Sequence, residues 1–503
     1  MKRINSLIVS LIATSLLFIS CNKDDDPTPP VVQPSIDMLK VEVEDFIWTG
    51  MNDVYYWKDN VPDLNDNKND NSLDYYNLLN TYTPNPEDFF ESLLYQPESV
   101  DVYSWLIDDW VEHDKSFENI SKSNGVVYRL SYETGSSSDL LGYVRYILPN
   151  SDASGKDVKR GYVFDAIDGV QMTINNYQEL LDRDTYTMNF ADLNGGVPIS
   201  NGKSVELTQV ENFQENPVHI VKSFDIDGKK IGYLMFNSFL GRTSNALNIA
   251  FSQLKAEGVT ELVLDLRYNR GGYNSVTRNM VSSITGQFPG EIYTREKWNA
   301  EYTAWFNANS PAQLYNTFSD KFIYYNAAGN SIEEPLNSLN LDNLVVITTG
   351  STASASEATI SGLKPYINVT TIGTKTTGKY TGSITLYDSN NFSKTGDNFN
   401  TNHTWAMQPI VQIYTNSVGE SVQGGIIPTI EKVEYVSDFK ELGTLEEPLL
   451  AEAIAYITGS GKPASSKKGF EPQLKEFDSK LDFKYHGYII DKKIPKEFFL
   501  RKK

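Results

Sequence analysis

The stretch Leu344-Val-Val-Ile-Thr-Thr-Gly-Ser-Thr-Ala-Ser354-Ala-Ser-Glu357 decides the fold at the centre of this chain. It opens as an apolar run typical of a buried strand, continues through small residues and leads into a predicted helix. A serine at a helix start lies among free backbone N–H groups, which stabilise a negatively charged oxygen. The same position also suits an ordinary N-cap serine, with Glu357 supporting the first turn.

A second segment of this kind lies upstream. Asp265-Leu-Arg-Tyr-Asn-Arg-Gly271-Gly272 continues a predicted buried strand and leads into another predicted helix. Two glycines at such a turn leave backbone N–H groups free to bind an anionic oxygen. A structural turn that simply needs glycine is the alternative interpretation. Neither segment by itself identifies a reaction.

The order of elements around these two segments predicts an α/β core. From residue 218 onward, predicted strands alternate with predicted helices, which favours a largely parallel sheet. Asp227-Gly228, between the first two strands, is a hairpin signal. The predicted strands are 218–224, 231–236, 261–266, 344–349 and 369–372, and the predicted helices are 243–257, 275–283, 356–363 and 448–457.

Two other regions precede this core. Residues 37–114 show helical periodicity, with short helices predicted at 73–79 and 86–94, and their many aromatic side chains are assigned to a core. Residues 115–211 are predicted to form short strands with one helix at 176–181. The apolar face of the first helix comprises Val43, Phe46, Ile47, Val54 and Tyr55.

A serine nucleophile needs a base, and histidine is a poor candidate here. The four histidines are scattered, and the G-x-S-x-G elbow of α/β hydrolases is absent. Lysine can act instead if burial lowers its pKa enough to leave it neutral. Lys375 and Lys379 both follow the strand 369–372, so either lies near Ser354 if that strand neighbours 344–349.

The two segments together resemble the carboxy-terminal processing (tail-specific) serine proteases. In that family the nucleophile precedes Ala-Ser-Glu, and the catalytic lysine follows it by 25 residues in an Ile-Gly-x-x-Thr-x-Gly-Lys motif. Ser354 and Lys379 have this spacing, which selects them over Ser351, Ser356 and Lys375. Asp265–Gly272 resembles the glycine loop of the family, while 231–234 and 425–428 resemble its core strands.

The resemblance implies a fold and a division of the chain. We expect an α/β, ClpP/crotonase-like protease core over residues 212–460. An N-terminal helical domain at 37–114 and a PDZ-like β-rich domain at 115–211 would precede it. In the PDZ-like domain, Leu141, Gly142 and Tyr143 would form the loop that captures a peptide carboxy terminus.

The resemblance also implies a mechanism without a metal or organic cofactor. Ser354 would attack the peptide carbonyl and Lys379 would take its proton. Backbone N–H groups of Ala355 and of Gly271 or Gly272 would form the oxyanion hole. Many members carry a glutamine four residues after the lysine. Ser383 stands there in this chain, so Ser383 or Thr381 would orient the dyad.

The amino terminus has the features of a targeting segment. Lys2 and Arg3 precede the apolar run 7–19, and Ser20-Cys21 follows, which resembles the lipobox of bacterial lipoproteins. We therefore expect a signal peptide at 1–20, lipidation of Cys21 and a tether at 21–36. An ordinary secretory signal with a chance cysteine is the alternative. The acidic run 22–26 resembles a surface-export tag, so the expected location is the cell envelope, as a surface-exposed outer-membrane lipoprotein.

Charge and composition exclude other classes. The 503 residues carry a net charge of −21, which disfavours nucleic-acid binding. Cys21 is the only cysteine, so no intrachain disulfide and no Cys-based zinc site can form. The tail 461–503 is instead basic, with twelve lysines and arginines against six acids, and is predicted to dock on the acidic body.

The sequence therefore predicts a surface- or periplasm-facing lipoprotein that hydrolyses polypeptides with a Ser-Lys dyad and selects substrate carboxy termini. Its expected partners are polypeptides and, through Cys21, the membrane, but no nucleic acid. One alternative is a non-proteolytic peptide- or ligand-binding lipoprotein on the same fold. Another is a glycan- or peptide-capture lipoprotein that works through the aromatic amino-terminal region.

Overall fold

The computed structural model describes residues 36–326, 328–460, 474–477 and 488–491. The predicted signal peptide and Cys21 lie outside the described residues. Among the helices that are described, none has both the length and the apolar character needed to cross a membrane.

The amino-terminal region is helical, as predicted, and four of the five residues assigned to the apolar face of its first helix are buried. Asn71 and Asn85 cap the second and third helices, because their side chains accept backbone N–H bonds from the first turn. The elements are α1 (Glu42–Val54), α2 (Ser72–Asn80), α3 (Pro86–Ser92), β1 (Trp105–Ile107) and α4 (Trp110–Phe117).

The second region is β-rich with one short helix, again as predicted. Its elements are β2 (Ile120–Ser123), β3 (Val126–Tyr132), β4 (Leu140–Ile147), β5 (Val163–Ile167), β6 (Val170–Gln171), α5 (Tyr177–Leu181), β7 (Thr185–Asn194), β8 (Val197–Thr208) and β9 (Val210–Gln214). An antiparallel sheet in the order β3-β4-β5-β7-β8 encloses a core around Phe164 and Phe190, with β3 at one edge. Helix α5 contributes Leu180 and Leu181 to that core.

The third region begins with the predicted hairpin. Strands β10 (Val218–Ile226) and β11 (Lys229–Phe236) pair antiparallel, with positive φ at Asp227 and Gly228 in the turn. The elements that follow are α6 (Ala246–Ala256), β12 (Glu261–Asp265), β13 (Gly272–Tyr273), α7 (Asn274–Thr285), β14 (Ile292–Trp298), α8 (Ala300–Asn309), β15 (Tyr315–Thr317), β16 (Lys321–Tyr325), β17 (Ser331–Pro335), β18 (Asn343–Thr348), α9 (Ala355–Leu363), β19 (Asn368–Gly373), β20 (Thr381–Ser383), β21 (Leu386–Tyr387), β22 (Ala406–Gln408), β23 (Ile410–Asn416), β24 (Ile430–Glu431), α10 (Pro448–Thr458) and β25 (Tyr488–Ile489).

The main sheet of this region has the order β10-β11-β12-β18-β19-β24. Every pairing after the first hairpin is parallel, which confirms the predicted largely parallel core. Parallel strands end at the same edge of a sheet, and ligand-binding loops collect at that edge. The loops that follow β12, β18 and β19 therefore lie side by side.

A second sheet was not predicted from the sequence. It has the order β13-β25-β20-β23-β14-β15 and packs across α9. Its strand β25 comes from the tail and lies between two strands of the third region. A small sheet, β1-β22-β21, joins the amino-terminal region to the same part of the molecule.

A buried ion cluster supports the loop after β12. Arg267 is fully buried and donates to Asp265, Glu434 and both carboxylate oxygens of Glu447. Although burial disfavours the charge of Glu434, Arg267 and Arg160 lower its pKa to about 2. The guanidinium thus stays paired at any physiological pH and fixes the start of the glycine loop.

Candidate active site

Three loops meet at the carboxyl edge of the main sheet. Strand β18 lies between β12 and β19, with Ile347 paired to Asp265 on one side and to Ile372 on the other. The loop after β18 carries Ser354, and the loop after β19 carries Lys379. The condition set by the sequence, that these two strands are neighbours, is therefore met.

The carboxylate of Glu357 connects the serine loop to the lysine loop. Its Oε2 accepts the backbone N–H of Ser354 at 2.8 Å and that of Lys379 at 2.9 Å. Its Oε1 accepts the N–H of Gly378 at 2.7 Å and the hydroxyl of Thr376 at 2.5 Å. The sequence predicted only a helix-capping role for Glu357, but the structure shows that it holds the two loops in one register.

Tyr414, on β23, makes a second connection between the loops. Its hydroxyl lies 3.1 Å from the carbonyl oxygen of Ser354 and 3.1 Å from that of Lys379, and donates toward both. The tyrosine is buried. Sequence reasoning missed it because β23 belongs to the unpredicted second sheet, and no local motif marks a tyrosine as a bridge.

The backbone of Ser354 is strained. Its φ of 61° and ψ of −111° are rarely adopted by a residue with a side chain, and such a conformation typically costs about 1–3 kcal/mol. The side chain is fully buried, and its Oγ has no hydrogen-bond partner among the residues that the structure describes. The neighbouring serines differ, since Ser356 donates to the carbonyl of Asn269 and Ser351 accepts from Arg145.

Lys379 is almost completely buried, with 3% of its surface exposed, whereas Lys375 is exposed. Burial lowers the pKa of Lys379 to about 7, against the opposing effect of the carboxylates of Asp101 and Glu357. The Nζ atom lies 4.6 Å from the ring centre of Tyr103. A substantial fraction of this amine is therefore neutral near pH 7.

The amino-terminal region shapes the surroundings of this lysine. Asp101 accepts the Tyr55 hydroxyl at 2.6 Å and the backbone N–H groups of Tyr103 and Ser104 at 3.2 and 2.9 Å. These bonds hold the ring of Tyr103 over Lys379. The sequence offered no signal for this role, because an isolated aspartate and tyrosine in a loop match no motif.

Burial also affects the carboxylate that joins the loops. It raises the pKa of Glu357 to about 7, while the four hydrogen bonds that the carboxylate accepts lower it. The ionised form matches its surroundings, since all four neighbours are donors. The bridge between the two loops is thus strongest at and above neutral pH.

The candidate oxyanion donors lie beside Ser354, but some of their N–H groups already have other partners. A Cβ on Gly271 would lie 2.9 Å from both Ser354 Cβ and the nitrogen of Ala355, so only glycine fits there. However, the N–H of Gly271 already donates to Asn269 Oδ1 at 2.9 Å. Gly272 is also paired, with Tyr488 of β25, so Ala355 remains the best placed of the three predicted donors.

The predicted orienting residues lie on β20. Ser383 donates to Gln408 Oε1 at 3.3 Å, so a glutamine from another strand stands next to the position where the family pattern has one. The hydroxyl of Thr381 is buried without a partner in the described part of the chain. Gln408 in turn donates to Thr385, so Ser383, Gln408 and Thr385 form a hydrogen-bonded network.

The predicted carboxylate-binding loop at Leu141, Gly142 and Tyr143 is wrong in its local structure. These residues lie inside β4, paired with β3 on one side and β5 on the other. Gly142 serves packing, because a Cβ there would lie 2.2 Å from the ring of Phe164. The backbone groups of a strand paired on both sides cannot capture a peptide terminus.

The α/β fold places a strained, buried serine and a buried, partly neutral lysine on neighbouring loops, an arrangement typical of serine-type hydrolases. Comparison with known proteins is consistent with this class. The profile of peptidase family S41 matches residues 230–432, and that of the peptidase S41 N-terminal domain matches residues 42–105. Together they cover more than half of the chain.

Individual proteins are also similar to this chain. The chloroplastic C-terminal processing peptidase of Tetradesmus obliquus is 24% identical over 267 residues, an alignment that spans 51% of each chain. A candidate S41 protease from Bacteroides fragilis has a similar fold, with a TM-score of 0.60 and 22% identity over 86% of this chain and all of that one. The photosystem II D1 C-terminal processing protease is more distant, with a TM-score of 0.43 and 18% identity over 78% and 93% of the two chains.

The chain belongs to peptidase family S41, the C-terminal processing serine proteases. This confirms the resemblance that its motifs carry and the predicted fold class. The chain spans about half the length of the Tetradesmus relative.

Replacing Glu357 with alanine should destabilise the protein strongly. The change leaves three buried N–H groups and one hydroxyl without their acceptor, and each such loss typically costs about 1–3 kcal/mol. We expect the free energy of unfolding to fall by roughly 4 kcal/mol or more in urea titrations. Glu257→Ala, an exposed glutamate at the end of α6, is the matched control and should change it by less than about 0.5 kcal/mol. Equal stability of the two variants would contradict the bridging role.

Proposed function

We propose that this protein is a serine endopeptidase in which Ser354 is the nucleophile and Lys379 the general base. The observation that carries the proposal is the shared carboxylate oxygen, since Glu357 Oε2 accepts the backbone N–H groups of both residues. The lowered pKa of Lys379, about 7, supports it. The exposed Lys375 and the hydrogen-bonded Ser351 and Ser356 lack these properties.

The reaction follows from these positions. Ser354 Oγ attacks the scissile carbonyl carbon while the neutral amine of Lys379 takes its proton, and the carbonyl oxygen becomes an oxyanion. The N–H of Ala355, with that of Gly271 or Gly272 as the second donor, stabilises that charge; one such donor typically contributes roughly 2.7–4 kcal/mol. Protonated Lys379 then gives its proton to the leaving amine. Water, deprotonated by the lysine, finally cleaves the acyl-enzyme and restores both residues.

The substrates of this enzyme are extended polypeptides. The Tetradesmus relative is named as a C-terminal processing peptidase. We extend that preference to this chain as part of the proposal, so that cleavage falls near the carboxy terminus of a substrate. No metal or organic cofactor enters the mechanism.

Ser354→Ala should abolish hydrolysis of casein and of a peptide library. Loss of a nucleophile typically lowers the rate by roughly 10⁴-fold or more. Ser351→Ala and Ser356→Ala are the matched controls and should keep most activity, because their hydroxyls already bind structural partners. Digestion by the Ser354→Ala protein at the wild-type rate would refute the nucleophile. A folded wild-type protein that cleaves nothing in the library would favour the ligand-binding alternatives.

Activity should rise with pH through about 7, because Lys379 must lose its proton to act and its pKa lies near that value. An ordinary lysine would need a pH near about 10.4. Lys379→Arg should be nearly as damaging as Lys379→Ala, each losing roughly 10²–10⁴-fold, since arginine keeps its proton.

The control is Lys375→Ala, which should retain activity. A ¹³C NMR titration of the Lys379 side chain assigns the midpoint to the lysine rather than to Glu357, whose pKa burial also raises to about 7. An inactive Lys375→Ala beside an active Lys379→Ala would overturn the assignment of the base.

We further propose that the protein is an outer-membrane lipoprotein anchored through Cys21 and exposed at the cell surface. The support is the sequence alone, namely the basic start, the apolar run 7–19 and the Ser20-Cys21 pair. Cys21→Ala should abolish incorporation of a palmitate analogue and release the protein from the membrane fraction. Cys21→Ala protein that still carries the label would show that another residue is modified.

A further inference from the structure

The tail of the chain supplies a strand to the second sheet. Strand β25 runs parallel to β13 on one side and to β20 on the other, with Tyr488 paired to both Gly272 and Gly382. The N–H of Ile490 donates to the carbonyl of Ser383 at 3.0 Å. A narrow slot between β13 and β20 is thus filled by an extended segment, residues 488–491, which we call the tail strand.

The slot adjoins both residues of the candidate dyad. Strand β13 begins immediately after Gly271, where an added Cβ would lie 2.9 Å from that of Ser354, and β20 begins two residues after Lys379. The tail strand runs in the same direction as both. Its residues therefore lie beyond the nucleophile in the chain direction, where the part of a substrate after the scissile bond would lie.

The tail strand is held by its side chains as well as its backbone. Ile489 and Ile490 are 3% and 5% exposed and belong to the main hydrophobic core. The carboxylate of Asp491 accepts the N–H of Ser275 at 3.2 Å and also the hydroxyl of Ser275. Ser275 lies in the first turn of α7, where the helix dipole favours a negative charge.

Arg242 interacts electrostatically with this carboxylate, and a second arginine lies near it on α7. Arg278 lies one turn along α7 from Ser275, and its Nε and Nη2 atoms are buried without a partner among the described residues. Burial disfavours the charge of Arg242, yet its pKa is raised, with Asp491 among the groups that favour the charge. The pocket is therefore suited to a carboxylate.

A second part of the tail docks elsewhere. Lys475 accepts the N–H of Tyr132 through its carbonyl at 2.9 Å, and Phe477 donates to the carbonyl of Leu130 at 3.0 Å, so residues 474–477 extend the free edge of β3. Glu476 pairs with Arg129 at 3.0 Å. The predicted docking of the tail is thus confirmed for the described segments, which are held by strand pairing and by the carboxylates of Glu476 and Asp491.

We propose that the slot between β13 and β20 binds the substrate segment that follows the scissile bond, and that the tail strand is its resident occupant. The slot accordingly selects an extended peptide with two adjacent aliphatic residues followed by a carboxylate. That the bound peptide is a substrate rests on the proposed function, whereas the binding of a peptide in the slot does not.

The test measures binding without catalysis, in the full chain carrying Ser354→Ala. The probe is a fluorescent peptide with the sequence of residues 486–493, and its binding is followed by anisotropy. Adding Ile489→Asp and Ile490→Asp should displace the tail strand from the slot. The apparent Kd for the peptide should then fall at least roughly tenfold, because the tail strand no longer occupies the slot in most molecules. Lys475→Gln, which leaves the backbone pairing on β3 intact, is the tail control and should not change the Kd.

A second, milder variant guards against misfolding. Asp491→Ala removes only the carboxylate that anchors the tail strand, and it should also lower the apparent Kd for the peptide. A probe peptide with asparagine at the position of Asp491 should bind at least roughly tenfold more weakly to the emptied slot if the slot recognises the carboxylate.

Equal peptide affinity for folded proteins with and without the tail substitutions would overturn the proposal. Because none of these measurements needs the nucleophile, an inactive wild-type enzyme would refute the proposed function and leave this inference standing.

Discussion

The carboxylate of Glu357 is the interaction on which the rest of the site depends. It lies in the first turn of α9 and accepts four hydrogen bonds, two of them from the backbone of Ser354 and Lys379. Burying a carboxylate is costly unless its lone pairs are satisfied, and here the protein supplies a donor for each. The parallel order of β18 and β19 brings the two loops together. The carboxylate then fixes their relative position, because it binds backbone N–H groups of both.

The same geometry explains why distant parts of the chain cluster around one lysine. A neutral amine near pH 7 requires that water be kept away, and no single loop can do this. Asp101 fixes the ring of Tyr103 over the amine from the amino-terminal side. On the other side, β20 leads away from Lys379 into a sheet whose next strand comes from the tail.

The sequence predicted the parts of this arrangement that are local. The parallel core follows from strand and helix periodicity, and Ser354 and Lys379 follow from a motif spacing. Tyr414 and Asp101 could not be predicted, because their roles depend on contacts between segments far apart in the chain. The error at Gly142 has the same origin. A glycine between apolar residues is compatible with a loop or a strand, and only the position of Phe164 in the fold shows that close packing requires it.

Ser354 is fully buried, so in the proposed mechanism a substrate carbonyl reaches it only after the groups above it move. A peptide that entered the slot would pair with the same backbone groups of β13 and β20 that the tail strand now uses. The hydrogen bonds lost with the tail are then regained with the substrate, and their net contribution to the exchange is small. Peptides are instead distinguished by their side chains, which must fit the sites now occupied by Ile489 and Ile490 and the carboxylate site at Ser275. In the proposed mechanism, peptide specificity thereby comes from the same slot that the tail strand occupies.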